Sequence, residues 1–159
     1  GEAGIELNSW ACEQVEMRLG YARRLAARLR TVKPRLRELA VTWSPWMGRI
    51  MLYYYYPEKL AGAQPWVRQL AEILVACEQF EAFSNQRRGR DYYVRRREDL
   101  AEAFAYLNAL HKEGIISRPV VQALRELSAE GAFDKVLEQA RGRALSRRDR
   151  ACLRQAGEE

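Results

Sequence analysis

Six arginines and two adjacent tyrosines occupy eleven consecutive residues, 87 to 97, and they are the side chains of this sequence best suited to chemistry. Asp91 is the only acid among them. Arginine guanidinium groups match the geometry of phosphate oxygens, and tyrosine rings can stack on nucleobases. The segment therefore predicts contacts to RNA or single-stranded DNA. The predicted contact residues are Arg87, Arg88, Arg90, Tyr92, Tyr93, Arg95, Arg96 and Arg97.

The same segment has a second interpretation, as a solvated helix start beside a loop. Glu98 and Asp99 follow it directly, and they could pair with some of its arginines. Against this, six cations with one acid repel one another unless an anion relieves them. Arginines at the start of a helix also oppose the helix dipole, which favours a segment that awaits an anionic partner. Both interpretations stay open on the sequence.

A second basic region runs from Arg18 to Arg37 and contains eight basic residues and no acid. Arg24 and Arg28 are four residues apart, so on a helix they share a face and are predicted as secondary contacts to nucleic acid. The alternative is the exposed face of a bundle helix. The sequence does not decide whether this region lies beside residues 87–97.

Aromatic residues cluster between the two basic regions. The four tyrosines at 53–56 cover a full helical turn, so they cannot all face one core. They are either a packed helix end with one exposed ring, or a platform for base stacking or self-association. Trp43 and Trp46 flank Ser44 and Pro45, and we expect them to pack at a helix corner.

Length and composition indicate one globular domain with a net charge of +6 and a pI near 9.5. Such a charge favours acidic partners, nucleic acid or an anionic membrane surface. Cys12, Cys77 and Cys152 are odd in number and form no CxxC pair, which favours a reducing, intracellular and cytoplasmic (or nuclear) location. Cys77 lies among apolar residues and is predicted to be in the core.

Catalytic and cofactor motifs are missing from the sequence. His111 is the only histidine, and no glycine-rich phosphate loop, HExxH or GxSxG motif occurs. We therefore expect no enzyme activity, no metal and no cofactor. There is also no run of eighteen apolar residues, so no transmembrane helix is predicted.

The elements that must position these side chains are predicted to be helices throughout. Residues 1–8 are predicted as a flexible leader and residues 9–159 as a single all-α domain of six or seven helices. Helix boundaries are expected at Ser9 with a bend or restart at Pro34, then from Pro45 to about Tyr56, and from Pro65 to Gly89. Further helices are expected from Asp91 to Gly114, from Ser117 to Gly131, through 133–137, and from Ser146, where Asp149 stands at capping-box spacing.

Apolar spacing predicts which faces of the first and third helices point inward. For the first helix the predicted inward residues are Val15, Leu19, Ala22, Ala26 and Leu29. For the third, the predicted inward residues are Trp66, Leu70, Ile73, Cys77 and Phe80.

The order of elements resembles the small α-helical subunits of CRISPR interference complexes, the type III-like ones most. Residues 4–9 (GIELNS) precede the first helix, a basic aromatic helix follows around 49–56, and 66–70 (WVRQL) open an apolar helix. A later helix reads DLAEAFAYL at 99–107, and residues 115–159 have no counterpart. The resemblance implies a non-catalytic protein that stacks along a ribonucleoprotein backbone. It implies nucleic-acid contacts from Arg49, Arg68, Arg87 and Arg88.

The leading hypothesis is a non-catalytic helical protein that binds RNA or single-stranded DNA, with protein partners in a larger complex. The competing hypothesis is a helical adaptor that docks an acidic protein or self-associates through the tyrosine turn, the tryptophan corner and the basic faces. Docking on an anionic membrane lacks a helix with cleanly opposed aromatic and basic faces, so no membrane partner is expected.

Overall fold

The computed structural model describes residues 9–85 and 98–156, and within these ranges the chain is built of α-helices without a strand. The helices are α1 (Ser9–Glu38), α2 (Pro45–Leu52), α3 (Pro65–Ser84), α4 (Leu100–Lys112), α5 (Arg118–Glu130), α6 (Asp134–Arg141) and α7 (Arg147–Gln155). A short 3-10 helix, Pro57–Leu60, joins α2 to α3. The prediction of an all-α bundle of six or seven helices is confirmed. The leader predicted at residues 1–8 lies outside the described residues.

The core forms where α3 and α4 pack most extensively on each other, with α5 and α7 against them. Its fully buried side chains include Val75, Leu107, Leu110, Ile116 and Leu153. Aromatic packing ties in the start of α6. The ring of Phe80 lies 5.4 Å from that of Phe104 and 5.3 Å from that of Phe133, between ring centroids.

Local sequence signals set several helix ends. Ser146 and Asp149 form the predicted capping box, in which each side chain accepts from the other residue's backbone N–H. Helix α4 begins at Leu100, because Asp99 has an extended backbone and its carboxylate accepts from the Glu102 N–H at 2.9 Å. The helix start predicted at Asp91 lies outside the described residues. Helix α3 ends at Ser84, earlier than the predicted end at Gly89.

Helix α1 runs through Pro34 without a restart and ends at Glu38. Ala40 takes the left-handed conformation, with φ of 56°. The Val41 N–H then bonds to the Leu36 carbonyl at 2.8 Å and the Ala40 N–H to the Arg37 carbonyl at 3.0 Å. This is the Schellman hydrogen-bond pattern, which terminates a helix.

The inward face of α1 is also rotated from the prediction. Val15 and Leu19 are each 48% exposed, whereas Leu25 is buried. The cause is Tyr21, whose hydroxyl donates to the Met51 carbonyl at 2.8 Å, so that this side of the helix turns toward the end of α2.

Helix α3 differs from its predicted register in the same way. Phe80 is buried as predicted, but the rest of the predicted inward stripe faces solvent, and Cys77 is exposed rather than in the core. The buried face passes instead through Val67, Ala71 and Val75. Small residues such as Ala71 allow α4 to approach closely, and that packing decides which of two apolar faces turns inward.

Candidate nucleic-acid interface

The arginine-tyrosine segment that carries most of the predicted contacts lies outside the described residues. This applies to Arg87, Arg88, Arg90, Tyr92, Tyr93, Arg95, Arg96 and Arg97. Their assignment as nucleic-acid contacts stays a prediction. The described residues on either side show how the two ends of the segment are held.

The two flanks of the segment meet at the end of α3 and the start of α4. The Asp99 N–H donates to the Phe83 carbonyl at 3.0 Å. Asn85 is buried just after α3, and Leu100 is buried at the first position of α4. The two ends of the segment are therefore held close together.

Two arginines from the end of α6 hold these flanks. The Arg141 guanidinium donates through Nε and Nη2 to the Ser84 carbonyl, the Nε contact being 3.1 Å, and its Nη1 lies 3.3 Å from Asp149 Oδ2. The Arg141 side chain is only 1% exposed. On the other flank, Arg143 Nη2 lies 3.2 Å from Glu98 Oε1. Glu98 therefore pairs with an arginine outside the segment.

Sequence reasoning missed Arg141 and Arg143, the residues that hold the two flanks of the segment. Neither lies in a basic cluster near the segment. The acceptor of Arg141 is a backbone carbonyl 57 positions earlier in the chain. A side chain that bonds to a distant backbone group leaves no pattern in the sequence, so no local signal could have identified it.

The second basic region is an exposed surface along α1. Five of its exposed arginines form no ion pair with any other residue of the ranges 9–85 and 98–156. We call these five residues the α1 arginine surface: Arg23, Arg28, Arg30, Arg35 and Arg37. At about 1.5 Å per residue, the stretch from 18 to 37 is about 30 Å long.

The two predicted contacts on α1 differ in their surroundings. Arg28 belongs to the α1 arginine surface and projects into solvent. Arg24 is also exposed, but its guanidinium folds back over Gly20, where the missing side chain leaves room for it. The four-residue spacing does place both on one side of the helix, as predicted.

Two arginines of α7 have acidic partners on α6. Arg150 Nη2 lies 2.7 Å from Glu138 Oε1, and Arg154 Nη2 lies 2.6 Å from Asp134 Oδ2. These contacts join α7 to α6 and partly neutralise that surface. The five residues of the α1 arginine surface differ from Arg150 and Arg154 in that no acid of the described residues pairs with them.

Arg49 and Arg68, the other two predicted contacts, hold loops of the bundle. Arg49 Nε donates to the Lys59 carbonyl at 2.6 Å. Arg68 Nε donates to Glu72 Oε1 at 2.8 Å, and its Nη2 donates to the Gly114 carbonyl at 3.3 Å. Both guanidinium groups therefore have structural partners. Their roles as nucleic-acid contacts stay predictions.

The tyrosine turn is a packed helix end. Tyr53 is 2% exposed and donates to the Ile115 carbonyl at 2.7 Å, and the Tyr54 hydroxyl lies 2.6 Å from that of Tyr106. Burial raises the pKa of both tyrosines at 53 and 54, and in Tyr54 the bond to Tyr106 adds to the rise. The ring of Tyr56 lies under the Arg18 guanidinium at 4.8 Å. These contacts favour the interpretation as packing over that of an open stacking platform.

The tryptophan corner is packed as predicted. Trp46 meets Trp66 edge to face with 5.1 Å between ring centroids, and Lys33 lies over the Trp43 ring at 5.3 Å. These contacts fix the turn between α1 and α2 and its contact with α3.

Comparison with known proteins gives no match of this chain to a family model, to a curated protein or to a solved structure. Across residues 9–85 and 98–156, no helix has both the length and the apolar character needed to cross a membrane. The fold is an all-α helical bundle. In its described part, α1 carries five exposed arginines without an ion pair.

Proposed function

We propose that this protein binds single-stranded RNA or DNA without catalysis, through phosphate contacts from the α1 arginine surface together with the arginines of residues 87–97. The observation that carries the proposal is the set of five exposed arginines on α1 that have no ion pair in the described part of the chain. No acid occurs between Arg18 and Arg37, so an external anion is the natural source of the missing charge.

The physical basis is the release of counterions from the phosphate backbone. Each phosphate neutralised by an arginine frees its condensed cations, so binding weakens as salt rises. The basic stretch of α1, about 30 Å, is long enough for a strand that lies along it to place several phosphates beside arginines. Stacking on Tyr92 and Tyr93 would favour single strands over duplex, because bases in a duplex are already stacked.

The test removes three charges from α1 by the combined substitutions Arg23→Gln, Arg28→Gln and Arg30→Gln. Binding to a labelled single-stranded RNA would be followed by fluorescence anisotropy across a salt series. For a single strand the slope of log K against log salt falls by about 0.7 per lost phosphate contact, so the triple variant should have a slope lower by about 2.

A control with the same charge change separates a site from a general effect of net charge. Arg118, Arg147 and Arg148 are exposed at the starts of α5 and α7, and their triple glutamine variant also loses three charges. The control should keep a slope close to that of the wild type. An equal drop in both variants would remove α1 from the site.

The segment 87–97 has its own test. Exchange of Arg95, Arg96 and Arg97 for glutamine should lower the slope by a further amount of about 2, independently of the α1 variant. An unchanged slope would take the segment out of the proposed interface. Membership in a ribonucleoprotein complex, which the resemblance to the CRISPR subunits implies, forms part of this proposal and predicts that protein partners share the bound strand.

A further inference from the structure

An apolar surface lies on the outer face of α3, opposite the face that packs on α4. Trp66 is 49% exposed, Leu70 and Ile73 are 41% exposed and Leu74 is 39% exposed. Cys77 is exposed one turn further along. We call these five residues the α3 outer stripe. A soluble helix normally places polar residues on such a face, so this surface requires an occupant.

The spacing of four of its five residues is symmetric under reversal; the fifth, Leu74, would face Gln69 of the second copy. Trp66, Leu70, Ile73 and Cys77 follow at steps of four, three and four, which is the spacing of a seam between two packed helices. Read from either end, the order of steps is the same. A second α3 laid antiparallel therefore brings Trp66 against Cys77 and Leu70 against Ile73, as a two-fold interface requires.

Side-chain size supports the same pairing. The largest residue of the stripe, Trp66, meets the smallest, Cys77, at each end of the seam, and two branched residues of equal size meet at its centre. This alternation of large and small residues lets two helices interdigitate without a void. We infer that the α3 outer stripe binds a second copy of this chain, with the two α3 helices antiparallel. This inference concerns a surface other than the proposed nucleic-acid interface and goes beyond that function.

The area of the stripe fits a dimer of ordinary size. The exposed fractions of its five side chains correspond to about 400 Å² of apolar surface. Interfaces are about 57% apolar, so such a patch belongs to about 700 Å² per partner, or about 1,400 Å² in total. That total lies in the range of about 1,200–2,000 Å² for specific complexes. Trp46, which packs edge to face on Trp66, extends the patch at its rim.

Charge argues for a protein partner rather than an anionic lipid surface. The stripe itself contains no charged side chain, and the nearest cation on α3, Arg68, bonds to Glu72 and to the Gly114 carbonyl. Helices that bind anionic lipid flank their apolar face with lysine and arginine that reach the headgroups. The α3 outer stripe lacks such flanking cations on its own helix, and an interface between two helices does not need them.

The first test is the oligomeric state. Sedimentation equilibrium from about 1 to about 100 μM should show a monomer–dimer equilibrium for the wild type. Leu70→Glu combined with Ile73→Glu places four carboxylates at the centre of the seam and should weaken association by about 100-fold or more. Leu127→Glu is the control, since Leu127 is a leucine of similar exposure, 44%, on α5.

Retained helicity and a cooperative unfolding transition would show that each variant is folded, since all three substituted positions are exposed. A wild type that stays monomeric over the whole range would overturn the inference. So would a loss of association by Leu127→Glu equal to that of the stripe variant. A monomer that binds phospholipid vesicles and loses this binding with the stripe variant would also overturn it, by assigning the stripe to lipid.

The second test is the direction of the seam. In a background of Cys12→Ser and Cys152→Ser, the variant Trp66→Cys should form an intermolecular disulfide with Cys77 on mild oxidation. Within one chain these positions are about 16 Å apart along the helix, too far for a disulfide. The same background with Trp66 intact should stay uncrosslinked, because antiparallel packing separates the two Cys77 residues by about the same distance. A disulfide between two Cys77 residues would indicate parallel helices and overturn the proposed pairing.

Discussion

Glu72 is a buried carboxylate on α3 whose removal should destabilise the bundle more than any exposed acid. Its side chain is 6% exposed, and its two oxygens have different partners. Oε1 accepts from Arg68 Nε at 2.8 Å, and Oε2 accepts from the backbone N–H of Ser117 at 3.0 Å, where α5 begins. Ser117 is the N-cap residue of α5, and its backbone N–H therefore finds its acceptor on another helix.

The expected cost of Glu72→Ala follows from these two contacts. An N–H left without an acceptor costs about 1–3 kcal/mol, and an ion pair with a half-exposed arginine contributes about 0.2–1 kcal/mol. We therefore expect the free energy of unfolding to fall by about 1–4 kcal/mol. Glu72→Gln keeps one acceptor oxygen and loses the charge, so it should cost about 1–2 kcal/mol.

Urea denaturation followed by circular dichroism measures these differences, provided that the m-value is unchanged. The matched control is Glu126→Ala on α5, where the lost contact is an exposed hydrogen bond from Gln122 at 3.0 Å. The control should cost less than about 0.5 kcal/mol. If Glu72→Ala cost no more than the control, the role of Glu72 in joining α3 to α5 would be refuted. Arg68→Gln should likewise lower stability, because it removes the donor to Glu72 and to the Gly114 carbonyl.

Three further predictions concern a helix end and two titrating groups. Ala40→Gly relieves the left-handed backbone at the end of α1 and should raise the unfolding free energy by about 0.5–1 kcal/mol in urea denaturation. Burial raises the pKa of Tyr54, so its stabilising effect is present below about pH 10 and is lost as pH rises above that value. In the wild type, the ionisation of Tyr54 should lower the free energy of unfolding by up to about 1.4 kcal/mol per pH unit above about pH 10. Tyr54→Phe should remove this part of the fall, measured by denaturation from about pH 10 upward. For Asp149, burial raises the pKa, but hydrogen bonds from Ser146 and the charge of Arg141 outweigh it and lower the pKa overall. The stability that ionised Asp149 contributes is present above about pH 4 and is lost as the pH falls. The midpoint of thermal unfolding should therefore fall less steeply below about pH 4 in Asp149→Asn than in the wild type.

Helix content and several helix ends follow from local sequence. The capping box of Ser146 and Asp149 needs only residues three positions apart, and the prediction is confirmed. Gly131 ends α5 in the left-handed conformation, with φ of 87°, as its position after the helix predicts. Such signals are local, and the chain forms them before any tertiary contact exists.

Helix orientation does not follow from local sequence. On α3 both Trp66-Leu70-Ile73 and Val67-Ala71-Val75 have apolar helical spacing, and periodicity alone favours neither. The choice depends on which face fits closely against α4, where the small side chain of Ala71 matters more than the large one of Trp66. The inward face of α1 is set in the same way by Tyr21 and its bond to a distant carbonyl.

The candidate site also combines features that the sequence reveals with features that depend on the tertiary structure. The density of arginine on α1 is visible in the sequence, and the exposure of Arg28 agrees with its predicted place on the surface. Which arginines are engaged within the fold is not visible. The acceptors of Arg49 and Arg141 are backbone carbonyls, whose positions depend on the tertiary structure.

The most direct measurement of the central claim is the affinity of the wild-type protein for a labelled single-stranded RNA, single-stranded DNA and duplex DNA at about 50 and about 200 mM salt. The account predicts binding to both single strands that is tighter than binding to duplex and that weakens by a factor of about 10 or more over this interval. Absence of binding to all three nucleic acids at the lower salt would contradict the account.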